Sequence, residues 1–484
     1  MKKKICHKFC SSIYPSGRKI LTLLLFFLLL IFSFTASAKV IYVPKDYTKI
    51  QLAINAATHG DEIIVSPGTY YENVKFGGKN IILQSTDPTS STIVVNTNID
   101  GFFNDSTIIF AGTETTSCTL SGFTITNGRS PLGGGINGNG SLATIQFNNI
   151  TNNTVYGSYP DGCGGGFYNC GGTIQNNTIY NNSASSYGGG LHSCGGTIQN
   201  NTISNNLANS GGGGLFGCDG TIQNNTISHN SASSGGGLYN CGGTIQNNTI
   251  TNNSASFGGG LYDCGGTIQN NTISNNSANS GGGLYQCNFM IQNNLIYFNS
   301  ANNGGGIYDC DGIIQNNNIL ENSAIQQGGG LYGCQASIRN CIIWGNSAPT
   351  DAQLYDCFRP YYSCIQGWTG GGPGNFSADP QLQPDKIHLI AISPCIDAGC
   401  FINGLTEDFE GDSRPYNGTT EPRGDGSDYD IGADEYYFTL NNHEINYYLL
   451  GKTSPPPEII QQMDVNNDSK VDIADVIYFI LRKK

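Results

Sequence analysis

Near the end of the chain, Asp464, Asn466, Asp468, Asp472 and Asp475 stand at positions 1, 3, 5, 9 and 12 of a twelve-residue loop, with the carbonyl of Lys470 at position 7. Oxygen donors at that spacing are what a seven-coordinate Ca2+ ion requires, so this set is expected to hold calcium. Ser469 occupies position 6, where such loops ordinarily carry glycine. A second set lies mid-chain. Asp263 and Asp309 hold the same place in a repeat two units apart, which puts them about 10 Å from one another, at the upper edge of an inverting carboxylate pair. Asp311 follows close by, and together these are the weak candidates for acid–base work; solvated turn residues are the alternative. The third set is aromatic: Tyr239, Tyr262, Tyr285, Tyr308 and Tyr332 recur with Tyr168, His192, Phe216 and Tyr355 in the same register. An outward stripe of rings can stack on sugars along an extended glycan, or it can be a self-supporting column with no ligand. His192 and His229 fall at different repeat positions without a Cys or acid at ligand spacing, which argues against a transition-metal site on the coils.

These side chains must be placed by a repeat. Cys170, Cys194, Cys218, Cys241, Cys264, Cys287, Cys310, Cys334 and Cys357 lie 23 or 24 residues apart, and the segment Gly-Gly-Gly-Leu-Tyr…Cys…Thr-Ile-Gln-Asn-Asn-Thr-Ile returns around each one. Units of this length cannot bury an apolar side alone and must stack. Short apolar patches split by Gly and Asn specify about three strands per unit, giving an all-β solenoid whose coils pair in parallel roughly 4.8 Å apart. Ile174, Ile198, Ile222, Ile245, Ile268 and Ile314 should fill the interior beside Ile179, Ile203, Ile227, Ile250, Ile273 and Ile319. Both members of each Asn pair are assigned to the bends, where Asn tolerates left-handed backbone. The Asn-x-Thr sequons these pairs create are explained by the stack, with glycosylation a lesser alternative. The repeating thiols are expected to be unbridged, whereas Cys395 and Cys400 could form a local staple.

Residues 1–38 have a basic start, an apolar run from Ile20 to Phe34 and Ala36-Ser37-Ala38, the pattern of an export signal; the apolar run is short for a spanning helix. Removing its six basic residues from 22 Lys+Arg leaves 16 against 35 Asp+Glu, a net charge of −19. The expected location is therefore secreted or at the cell surface, with no membrane span after cleavage, and nucleic acid is a poor partner for so acidic a chain. Residues 39–131 read as an N-terminal cap with irregular first coils, including a helix with Ile50, Ala53, Ile54 and Ala57 on one face. Residues 132–364 are the regular coils, 365–436 a C-terminal cap, 437–458 a linker with Pro455-Pro456-Pro457, and 459–484 the calcium-binding segment.

The opening residues and Leu120-Ser121-Gly122-Phe123-Thr124-Ile125 resemble the early coils of the pectate-lyase-like right-handed parallel β-helix superfamily. Ser393-Pro394-Cys395-Ile396-Asp397, Asp408-Phe409-Glu410-Gly411-Asp412-Ser413-Arg414-Pro415 and Asp430-Ile431-Gly432-Ala433-Asp434-Glu435-Tyr436 are similar to the C-terminal caps of secreted bacterial β-helix proteins. The calcium loop and its flanks look like one half of a dockerin, whose partner would be a cohesin-bearing scaffold, although a dockerin has two such repeats and this chain shows one. The resemblance implies a polysaccharide lyase or hydrolase, while the residues oppose a lyase: no Lys or Arg occurs between Arg129 and Arg339, so the coils lack the base such lyases use. The reading is a secreted protein that binds extracellular polysaccharide as part of a degrading system, with a lyase or glycoside hydrolase, or an adhesin-like scaffold, as the other classes.

Overall fold

The computed structural model describes residues 38–419, 423–437, 448–452, 460–461, 463–465 and 470–476. The export signal, most of the linker, and Asn466 and Asp468 of the calcium loop lie outside them. From Val40 onward the chain winds into three long parallel sheets of thirteen, thirteen and twelve strands, with a four-stranded and a two-stranded parallel sheet beside them. The first runs from Val40–Val43 to Ser337–Arg339, the second from Gly68–Tyr71 to Cys364–Ile365, and the third from Val74–Lys75 to Leu354–Tyr355. Each coil pairs in register with the next, so Ile198 meets Ile174 and Ile222, and Ile203 meets Ile179 and Ile227. All these isoleucines are buried. Early on, the helix Ile50–Ala56 sits against Val40–Val43, Glu62–Val65 and Val74–Lys75 with Ile50, Ala53 and Ile54 buried. The carboxylate of Glu72 accepts the N–H groups of Ile50 and Gln51 that a helix start leaves unpaired.

The two asparagines of each pair do different work. The first (Asn176, Asn200, Asn224, Asn247, Asn270) adopts left-handed backbone with φ near +55°, as a sharp strand-to-strand bend requires. The second is buried and points along the stack, which corrects its assignment as a bend residue. Asn248 Oδ1 accepts from the backbone N–H and Nδ2 of Asn225, and its own Nδ2 donates to Ile222 O, Gln246 O and Asn271 Oδ1, at 2.9–3.0 Å. The column runs from Asn148 to Asn317, and a second runs from Asn153 to Asn346. A chain of Gln amides, Gln146 to Gln315, parallels them and ends where Arg339 donates to Gln315 Oε1. Glycine is dictated at Gly258, where φ is +61° and a Cβ would lie 2.4 Å from Leu261 O.

All fifteen described cysteines are free, and fourteen are buried. In the column each thiol is hydrogen-bonded to the carbonyl two residues back, as Cys264 is to Tyr262 O at 3.4 Å. The staple does not form: Cys400 is bonded instead to Asn340 Oδ1, and Cys395 packs with Cys364 and Leu389 in a separate apolar cluster.

Of residues 365–436, read as a C-terminal cap, Trp368 packs on the end of the main core and Phe376 bridges to Cys364, whereas the later part lies along the flank of the last coils. Asn270, Asn293, Asn316 and Asn340, the bend residues of four successive coils, donate to the carbonyls of Asp408, Glu407, Asp430 and Cys400 respectively. Leu295, Leu320, Ile342 and Cys364 on the outer face of the second sheet bury Leu389, Ile396, Ile431 and Tyr436. Regular strands being nearly absent here, buried carboxylates tie the loops together. Asp408 accepts the N–H groups of Glu410, Gly411, Asp412 and Glu435; Asp430 accepts those of Asp397 and Tyr436. Burial raises the Asp430 carboxyl well above its ordinary range, and neighbouring Glu435 adds to this.

Candidate functional site

The aromatic residues are carried by two-residue strands of the third sheet, from Phe167–Tyr168 to Leu354–Tyr355. The first residue of each fills the core; the second faces out, because neighbours in a strand face opposite sides. In-register pairing then sets one ring over the next. Nine rings form a continuous column, Tyr168, His192, Phe216, Tyr239, Tyr262, Tyr285, Tyr308, Tyr332 and Tyr355, with successive centroids 4.6–5.3 Å apart. All five tyrosines singled out in the sequence therefore stand together. From Tyr285 to Tyr355 the rings are nearly parallel, 9–16° between planes. The column turns at two steps: Phe216 to Tyr239 at 85° and Tyr262 to Tyr285 at 61°. Each lies beside an extra aromatic, Tyr187 against Phe216 and Phe257 against Tyr285.

This spacing has a chemical consequence. Where rings are parallel at coil separation, each face is covered by its neighbour, and ring edges and phenol hydroxyls are what remains for a ligand. Burial, then neighbouring phenols and Asp263, raises the Tyr239 pKa; burial, then Tyr308, Tyr262 and Asp309, does the same for Tyr285. The phenols stay protonated donors and are poor bases. His192 is one ring of the column, sandwiched between Tyr168 and Phe216, and burial lowers its pKa to about 4.

Directly after each ring the chain turns through left-handed backbone, φ +48° to +65° from Asn169 to Asp356. Asp263 and Asp309 occupy this position, as do Asn169, Asn240 and Gly333, so their residue type is accounted for by the turn. Gln286 stands in the coil between them and donates to Asp309 Oδ2 at 2.8 Å. Asp311 Oδ1 accepts the Gln335 N–H. Partial desolvation against the coil, then Cys264, raises the Asp263 pKa although the residue is largely solvent-exposed. The arrangement brings Asp309 and Gln286 together and leaves Asp263 exposed in the coil beyond.

In the tail, the described part of the calcium loop ends in a reciprocal helix start: Asp472 Oδ1 accepts the Ala474 N–H, and Asp475 Oδ2 accepts the Asp472 N–H. Met463 and Val476 are buried together in a small apolar cluster with Val465, Val471 and Tyr448 at its edge. Lys470 is exposed.

Residues 214–354 match a family model described as a right-handed β-helix region, a stretch that contains the column from Phe216 to Tyr332. Among solved structures, the chain is similar to that of a variant of the PL6 family alginate lyase AlyGC, with 15% sequence identity and a TM-score of 0.37 over 83% of this chain and 59% of that one. The chain thus spans less than two thirds of that lyase. No curated protein matches it.

Proposed function

We propose that this protein is an exported, non-catalytic binder of extended, uncharged polysaccharide, which it grips along the tyrosine column. The observation that carries this reading is the column itself: a row of half-buried rings, mostly phenols, rising one coil at a time, with Asn, Gln or Asp after most of them and no Lys or Arg between residues 130 and 338. A glycan rich in uronates would need Lys or Arg to meet its carboxylates, and the coils between Arg129 and Arg339 have none. Hydroxyl-rich neutral chains suit protonated phenols and amides. A lyase is disfavoured on this face by the same absence of a base, and a hydrolase by the turn role of Asp263 and Asp309.

Retention on immobilised neutral glucans, mannans and xylans tests the reading. Replacing Tyr262, Tyr285 and Tyr308 together by Phe keeps the rings stacked and removes only their hydroxyls. Retention should fall at least tenfold with unchanged circular dichroism; each lost hydrogen bond to a hydroxyl amounts to about 0.5–1.5 kcal/mol. Equal retention by the triple variant would make the column purely structural. Product analysis on acidic and neutral polysaccharides, with and without calcium, completes the test, since chain cleavage would restore the enzyme reading.

We further propose that the tail, through Asp464, Asn466, Asp468, Lys470, Asp472 and Asp475, binds one Ca2+ and serves as an attachment module, of the kind that meets a cohesin-bearing scaffold. Replacing Asp464 and Asp468 by Ala should abolish calcium binding by the tail while the melting of the β-helix stays unchanged, because Met463 and Val476 form a cluster apart from the main core. Calcium binding unaffected by the double substitution would end this assignment.

A further inference from the structure

The flank segment gathers three side chains that the sequence keeps far apart. One ligating atom each of His388, Glu410 and Asp434 lie within 4.8 Å of one another. His388 Nδ1 stands 2.7 Å from Asp385 Oδ2, and Nε2 is 2.8 Å from Glu410 Oε2. Asp434 is 4% exposed. One of its oxygens accepts the Leu389 N–H at 2.9 Å, and the other takes no hydrogen-bond donor among the described residues.

We infer that His388, Glu410 and Asp434 form a site for a divalent first-row transition metal such as Zn2+, with Asp385 as the residue that orients the imidazole. The imidazole bridges Asp385 Oδ2 and Glu410 Oε2 through its two nitrogens; a metal would displace the proton at Nε2 while Asp385 keeps the one at Nδ1, and a carboxylate behind a ligating histidine is the usual support of such a ligand. Glu410 and Asp434 supply two negative charges, which a dication neutralises. The nitrogen donor selects transition metals over Ca2+, which takes six to eight oxygens, so this site is chemically distinct from the tail loop. Three protein ligands leave a coordination position for water, and the partly exposed side chain of Glu410 gives the ion a way in. The site also has a structural use. Its ligands come from three loops, two of them closed on themselves by isolated bridges, Leu382 to Leu389 and Glu407 to Ser413, and one ion would clamp all three together.

The test is zinc titration of the full chain after chelator treatment, in the presence of excess Ca2+ to occupy oxygen-only sites. One equivalent of zinc should bind, and Glu410→Gln should weaken it at least tenfold. Asp385→Asn should weaken it about 10- to 100-fold, as loss of an outer partner does. Glu410 is exposed enough that Gln leaves the fold intact, which circular dichroism verifies. Because the chain holds many cysteines, Co2+ is the second probe: the bound ion should show ligand-field bands without thiolate charge-transfer absorption. No zinc uptake, uptake indifferent to Glu410→Gln, or a thiolate spectrum would each overturn the inference.

Discussion

Asn248→Ala is expected to destabilise the β-helix by about 3–5 kcal/mol, more than a typical polar substitution, though only one amide is removed. Asn248 is 2% exposed. Its loss takes the acceptor from the Asn225 N–H and Nδ2 and the donor from Ile222 O, Gln246 O and Asn271 Oδ1. A buried donor left unpaired costs about 1–3 kcal/mol, and each further lost bond about 1. The usual rescue, replacing both partners by apolar groups, does not exist in a column, since every member is both donor and acceptor. Changing Asn225 and Asn248 together to Leu removes the stranded Nδ2 of residue 225 but leaves its backbone N–H unpaired and strips the acceptor from both the N–H and Nδ2 of Asn201. The second substitution should therefore add to the damage rather than relieve it. Because each coil touches only its neighbours, the fault should split unfolding into two stages, one on each side of the break. Calorimetry and urea titration of the single and double variants check this; a single cooperative transition shifted by under 1 kcal/mol would show that the amides are dispensable.

How nature ends such a column is visible in the same residues. Above Asn317 the position is taken by Cys341, whose thiol reaches Ile314 O, and then by Ser363, whose hydroxyl accepts the Cys341 N–H and donates to Tyr361 O. The donors dwindle from amide to thiol to hydroxyl as the stack runs out.

The coil, its period and its interior isoleucines were legible because identical units must stack and an inward residue must be apolar in every copy. The division of labour within each Asn pair was hidden, since two adjacent residues of one type carry no sign of which turns and which is buried. The tyrosines were legible as an outward row. That they stack on each other follows from a distance, the coil spacing, which falls within the centroid separation of about 4.5–7 Å that aromatic pairs prefer and makes neighbouring rings their own partners. Asp263 and Asp309 looked like a catalytic pair in spacing alone; the left-handed turn explains them once Asn169, Asn240 and Gly333 are seen in the same place.

The flank segment was the least legible part, because its contacts bridge 60 to 138 residues and it has no period. Yet the coils beneath it did carry a mark. Where Thr178, Thr202, Thr226, Thr249 and Thr272 face solvent on successive coils of the second sheet, the later coils place Leu295, Asn318, Ile342 and Cys364 in the same register. A face that changes from Thr to Leu and Ile is a face that something covers. His388, Glu410 and Asp434 could not be joined without knowing this.

Arg414→Met should release that segment while leaving the stack folded. The Arg414 and Glu435 side chains are fully buried, with Nε 3.4 Å from Glu435 Oε2. Among the described residues, Nη2 donates to Gly432 O at 2.9 Å, while Nε and Nη1 have no hydrogen-bond partner. The arginine is thus held by charge rather than by a full set of bonds, and its worth lies in neutralising a buried carboxylate that also receives the N–H groups of Tyr416 and Asp430. Removing one member of such a pair costs about 3–5 kcal/mol, whereas replacing both is often neutral. Arg414→Met should accordingly expose residues 379–436 to protease and to hydrogen exchange, and Asn293 and Asn316 beneath them should lose protection. Arg414→Met combined with Glu435→Gln should restore much of it, since the neutral amide leaves no charge stranded and its single oxygen still accepts one of the two N–H groups. The coils from Val40 to Tyr262, which make no use of the flank, should exchange as before in both variants. Equal damage in the single and double variants would show that arginine packing, and not its charge, holds the segment in place.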